Sequence, residues 1–166
     1  MTDTERSQRI TDMMNRYGTD VKRYCILQLR DVNQAEDAAQ DVFLKAWRAL
    51  LAFRGDSGEK TWLLRIAANT CRDYQRTGWF RFMDRRVTAE DVERGAPFVF
   101  PDDSLSQAIA ALPALLRQAV SLRYFEELSI REMAQVLSVS EATAKRRVRK
   151  ANALLKRRLK EWYEDE

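Results

Sequence analysis

The chain has 166 residues, 33 % of them charged and 45 % apolar, with 29 Lys and Arg against 25 Asp and Glu, a formal charge of +4 and a pI of about 9.2. That composition excludes a disordered chain, and five Gly with three Pro are too few for a long series of turns and short strands. There is no apolar run long enough to span a bilayer, and the first five residues do not begin a signal peptide, so the expectation is a cytoplasmic protein with no membrane insertion.

The length allows one domain or two small helical ones of roughly 70 residues each. Residues 4–30 predict a helix, because Tyr17, Val21, Tyr24, Cys25 and Leu29 recur at three- and four-residue steps. Gly18 is the point at which it would break. Asp31, Val32 and Asn33 interrupt the pattern, and Asn33 with Glu36 reads as the capping box of a helix over 34–52. The buried arc of that helix is Ala38, Ala39, Val42, Phe43, Ala46, Trp47 and Leu50. Opposite lie Asp37, Gln40, Asp41 and Arg48, with Leu44 among them. A charged face is by default only solvated. An apolar residue inside an acidic stripe instead suits docking: Leu44 supplies area and the carboxylates meet a basic partner.

Residues 53–76 organise the rest. A tight loop, Phe53, Arg54, Gly55, Asp56 and Ser57, leads into an amphipathic helix. Leu63, Leu64, Ala67, Ala68, Cys71 and Tyr74 fall on one face; Trp62, Arg65, Ile66, Asn69, Arg72 and Arg76 share the other, with Asp73. Aromatic ring, guanidinium and amide together are what holds unstacked bases, by stacking, phosphate neutralisation and reading of a base edge. The plainer reading is a solvated face with one partly buried Trp. Cys25 and Cys71 occupy core-like positions in a chain with no CxxC and no His, which reads as reduced thiols with no metal site.

A helix stop is expected at 77–80. Residues 81–103 then lose periodicity, turn from basic to acidic, and contain Gly95, Pro97 and Pro101, the pattern of a linker. Within it, residues 98–100 are flanked by prolines and read as extended connector.

The second unit opens near Ser104 with a helix to about 112, capped by Asp103 or Ser104, and Pro113 suits the first turn of a second helix to about 126. Ser129 and Glu132 form a capping box for a short helix to Leu137; residues 138–140 make a turn, and Ser140 caps a long last helix running toward Trp162. This is the helix-turn-helix arrangement. Ala134 is small where the helices cross, Val139 plugs the turn, and Ser138 stands where glycine is often used. Ala144, Val148, Ala151, Leu155 and Leu159 form the seam of the last helix. Opposite project Ala142, Lys145, Arg146, Arg149 and Lys150, with Arg147 on the flank. Lys145, Arg146 and Arg149 are the candidates for guanine edges in a major groove, and Arg147 and Lys150 for phosphates. The competing reading is a basic helix that only keeps the domain soluble.

In this order the motifs DAAQDVFLKAW (37–47), FRGDS with TWLLRIAANT (53–70), LPALLRQAVSLRYFEELSIREMAQVL (112–137) and SVSEATAKRRVRKA (138–151) resemble a bacterial sigma factor of the extracytoplasmic-function (ECF) type, in the sigma-70 family. The resemblance implies an all-α fold of two small helical domains joined by a flexible linker: residues 4–79 binding core polymerase and the −10 element, 80–103 the linker, and 104–163 a helix-turn-helix domain binding the −35 element. It assigns Asp37, Gln40, Asp41 and Leu44 to the β′ coiled-coil of core RNA polymerase. Phe53, Arg54, Gly55, Asp56 and Ser57 with Ile66 and Asn69 become a pocket for a base flipped out of the −10 strand. Trp62, Arg65 and Arg72 flank that melted strand, and Ala142, Lys145, Arg146, Arg147, Arg149 and Lys150 meet the duplex −35 element. The β flap and an anti-sigma factor are further implied partners, and no catalytic residue, metal or cofactor is expected. Two other readings compete: a helix-turn-helix regulator that never meets polymerase, and a metal-dependent nuclease using Asp37 and Asp41 or Asp56 and Glu59. The first leaves 53–76 without a purpose, and the second lacks a convergent carboxylate cluster.

Overall fold

The computed structural model describes residues 1–77 and 103–164. Helix α1, Asp3–Leu29, starts on a capping box in which the Thr2 hydroxyl accepts from the Glu5 N–H and the Glu5 carboxylate from the Thr2 N–H. It passes through Gly18 without a break, correcting the expectation from sequence. One mid-helix glycine costs only about 1 kcal/mol, which the burial of Met13, Val21, Tyr24, Cys25 and Leu29 on either side outweighs. Arg30 then ends the helix in the left-handed conformation, φ 57°.

Helix α2, Val32–Ala49, opens two residues earlier than expected, and its cap is Asp31 in place of Asn33. The Asp31 carboxylate accepts from both Asn33 N–H (2.8 Å) and Gln34 N–H (3.1 Å), so it satisfies two of the orphan donors that Asn33 was expected to serve. A 3-10 turn, Leu50–Ala52, finishes it, and α3 spans Glu59–Gln75. The three helices pack on one another through the arcs expected of them, with Ala38, Val42, Ala46, Leu63, Leu64 and Ala67 fully buried.

The C-terminal helices are α4 (Asp103–Ala110), α5 (Ala114–Val120), α6 (Ile130–Leu137) and α7 (Glu141–Glu164). Pro113 is the residue before α5 instead of lying in its first turn, and α5 loosens into a π-helical turn, Ser121–Phe125. The Ser129–Glu132 capping box forms as expected. So does the turn: Ser138 is left-handed at φ 55°, Val139 N–H donates to the Ala134 carbonyl at 3.1 Å, and the Ser140 hydroxyl accepts from Thr143 N–H. Ala144, Val148 and Ala151 form the buried seam of α7.

No strand occurs among the described residues, and the chain is all-α with two helical units. Residues 80–102 of the expected linker lie outside the described residues, with the 98–100 segment among them; its last residue, Asp103, opens α4. The two units are in contact. One buried cluster runs from α1, α2 and α3 into Leu122, Leu128, Met133, Val136, Leu137 and Ala144, so α6 packs on α3.

Candidate nucleic-acid and protein interfaces

On α2 the acidic stripe faces outward as expected: Asp37, Gln40 and Asp41 are exposed, and Leu44 is 48 % exposed although it is a large aliphatic side chain. A shallow apolar hollow beside it is bordered by Ile10, Met14, Phe43, Leu44 and Trp47. Asp41 is not free of partners, because its carboxylate accepts from the Tyr74 hydroxyl of α3 at 2.6 Å. Burial, and then that carboxylate, push the Tyr74 phenol upward, so Tyr74 remains a donor that fixes Asp41 in place.

The loop after α2 turns at Gly55, whose φ of 77° is one that side chains rarely adopt. Arg54 and Asp56 are exposed there and Ser57 is half-buried. Phe53 and Trp62 do not stand apart as two separate platforms. They stack on each other, centroids 4.5 Å apart, and are half-buried against the core with Ile66. Arg65, Asn69 and Arg72 project from the same side of α3 into solvent. Arg72 donates to the Asn69 side-chain oxygen at 2.8 Å, which leaves the amide NH2 as the group that Asn69 can offer outward.

Sequence reading missed the contribution of α1. Arg9 lies over the Phe53 ring, 5.7 Å from its centroid, and 3.8 Å from the Glu59 carboxylate, which Arg16 also approaches at 4.0 Å. Arg6 stacks on Trp47 at 3.7 Å. The available signal was periodicity: at 100° per residue, Arg6, Arg9 and Arg16 share one arc of α1.

On α7, Ala142, Lys145, Arg146, Arg149 and Lys150 are exposed in one row, and Arg147 is half-buried on the flank. Arg146 donates to the Thr143 hydroxyl at 3.3 Å. Arg146, Arg147 and Lys150 also border an apolar hollow between α5 and α7, lined by Leu115, Leu116 and Leu154. Among the described residues no group of three His, Cys, Asp or Glu is placed to hold a metal ion. Cys25 and Cys71 are buried free thiols, and hydrogen bonding to Cys25 together with burial pushes the Cys71 thiol well up.

Two family models match the chain: Sigma-70 region 2 over residues 13–81 and Sigma-70, region 4 over residues 102–155. The RNA polymerase sigma-H factor of Pseudomonas aeruginosa is 36 % identical over 146 residues, covering 79 % of this chain and 76 % of that protein. The ECF RNA polymerase sigma-E factor of Escherichia coli is 35 % identical over 130 residues, covering 69 % and 68 %. The RNA polymerase sigma factor YlaC of Bacillus subtilis is 28 % identical over 165 residues, covering 95 % of each. Among solved structures, CnrH in complex with the cytosolic domain of CnrY superposes with a TM-score of 0.70 at 23 % identity, covering 93 % of this chain and 89 % of that one. The sigma factor RpoE in complex with the anti-sigma factor NepR from Bartonella quintana gives 0.67 at 23 %, covering 90 % and 97 %. At that identity the likeness is one of fold.

Proposed function

Because the chain belongs to the sigma-70 family, as an alternative sigma factor of the ECF type, we propose that its three exposed faces divide the work of starting transcription. The stripe of Asp37, Gln40, Asp41 and Leu44 docks on the β′ coiled-coil of core polymerase. The apolar hollow between α5 and α7 is the surface available to the β flap. Asn69, with Ile66 and the loop of Phe53, Arg54, Gly55, Asp56 and Ser57, takes a base extruded from the −10 strand, while Trp62, Arg65 and Arg72 hold that strand. Lys145, Arg146 and Arg149 read the duplex −35 element, with Ala142 allowing close approach and Arg147 and Lys150 on phosphates. The observation that carries this reading is Leu44: a half-exposed leucine in a carboxylate row gains nothing on a protein that only binds DNA, and gains buried area on one that docks to another protein.

No bond chemistry by this chain is required. Unstacking a base costs a few kcal/mol, and the binding of the extruded strand offsets it. A polymerase that must be directed in this way also needs its director restrained, and an anti-sigma factor covering these same faces is the proposed restraint. The test is transcription in vitro with purified chain and core polymerase on a genomic template library. Initiation is expected at a discrete set of sites where core alone is silent; a chain that binds DNA but neither binds core nor starts RNA is the plain helix-turn-helix regulator instead.

A further inference from the structure

The loop that leads into α3 is anchored where it begins and where it ends. Phe53 N–H donates to the Leu50 carbonyl at 3.1 Å, and Trp62 N–H donates to the Gly58 carbonyl at 3.0 Å. Between these points Arg54, Gly55, Asp56 and Ser57 make no hydrogen bond or ion pair among the described residues. Gly55 turns at φ 77°, and Gly58 precedes α3 without a side-chain cap. Such a stretch has no backbone ladder to set its shape, so its shape is set by what holds its two ends.

One side chain reaches both ends, and it comes from α1. The Arg9 guanidinium lies 5.7 Å from the centroid of the Phe53 ring and 3.8 Å from the Glu59 carboxylate in the first turn of α3. Phe53 in turn stacks on Trp62, with 27° between the ring planes. A guanidinium suits both duties: flat and weakly hydrated, it covers an aromatic face while its edge meets a carboxylate. The position of Arg9 does not depend on the loop. Ile10 and Met13 are buried beneath α1, Arg6 stacks on Trp47 at 3.7 Å, and the Trp47 indole N–H donates to the Ser7 hydroxyl at 3.2 Å. These contacts fix the first turns of α1 to α2, and Arg9 stands on them as a brace. Arg16 also approaches Glu59, at 4.0 Å, but its ring contact is with Tyr17.

We propose that Arg9 is a positioning residue for the −10 pocket: by holding Phe53 at one end of the loop and Glu59 at the other, it sets the spacing across which a base is received. The bracing is a property of the free chain; its consequence for base selection rests on the promoter reading above. The role is indirect, because the face of the guanidinium is taken by Phe53 and its charge by Glu59. Loss of these contacts lets the loop sample wider openings, and a pocket shaped to one base then loses most for the base it fits best. Arg9 and Glu59 are both half-buried. A cation–π contact and an ion pair at that exposure are each worth a few-fold, so the expected loss of selectivity is roughly three- to tenfold.

The test replaces Phe53 by 4-fluorophenylalanine in the full chain and reads its fluorine NMR resonance. Arg9→Ala is expected to move and narrow that resonance, and Glu59→Gln to move it the same way by less, with helical circular dichroism unchanged in both. Arg9→Lys keeps the charge without the planar face and should not restore the resonance. Lys22→Ala, which breaks the Lys22–Glu36 pair between α1 and α2, should leave it in place. Unlabelled chain is then assayed with core polymerase on a promoter selected in vitro and on single-base variants of its −10 element. Arg9→Ala should lower selectivity for the preferred base roughly three- to tenfold. Core affinity, −35 preference and the salt dependence of open-complex formation should stay at wild-type values. A salt slope reduced by about one would make Arg9 a phosphate contact and overturn the proposal, as would an unmoved fluorine resonance or unchanged −10 selectivity. Should the wild-type chain initiate at no template, the promoter reading falls, while a resonance that depends on Arg9 still upholds the brace.

Discussion

Asn69 has its oxygen committed to Arg72 and presents a donor to solvent from the side of α3 that carries Trp62, so its role can be separated from every other. Asn69→Ala should reduce promoter opening and −10 selectivity while core affinity stays near wild type, measured by permanganate footprinting beside a core-binding titration; lost core affinity would refute the assignment. Arg149 sits in the exposed row of α7, and Arg149→Ala should relax −35 preference by about 1–3 kcal/mol for a lost base contact, read by competition between promoter variants. An equal loss on all sequences would move it to the phosphates. Asp41→Arg should weaken core association roughly tenfold, as charge reversal meets a basic partner; unchanged affinity removes it from the docking set. These side chains were legible in sequence because exposure of a polar residue follows from helical phase alone. Arg9 and Glu59 were not, since their meeting depends on how α1 crosses the loop before α3.

At the scale of elements, most boundaries follow from local chemistry. The Ser129–Glu132 box starts α6, and its backbone bond to Ser129 holds the Glu132 carboxyl below the usual carboxylate range. A depressed carboxyl adds stability that is present above its unfolded value and lost as pH falls through its folded value. Glu132→Gln, which keeps the reciprocal cap but removes the charge, should therefore cost about 0.3–1 kcal/mol near neutral pH. The difference from wild type should shrink on acidification, as followed by urea unfolding at several pH values; a constant difference would mean the ionised Glu132 does not contribute to stability. Where reading by element went wrong, a neighbour with stronger chemistry took the role: Asp31 displaced Asn33 as the cap of α2, and packing on both sides of Gly18 carried α1 through it.

Across the whole molecule, one buried cluster runs from α1 into α6 and α7 and couples the two units, beside a second cluster of Ile109, Leu112, Leu116, Val120 and Ala151 inside the C-terminal unit. The intact chain should unfold in one transition, with calorimetric and van't Hoff enthalpies equal; two resolved transitions would show independent units. Helix content, the buried arcs, the turn at Ser138 and the outward rows of α2, α3 and α7 were determined by the sequence alone, because each depends on periodicities of three to four residues. The stacking of Phe53 on Trp62, the bond from Tyr74 to Asp41 and the burial of Glu126 between Arg23 and Lys60 were decided only by tertiary structure. Those contacts join residues from 9 to 103 positions apart, and no local pattern encodes which distant helices will share a surface.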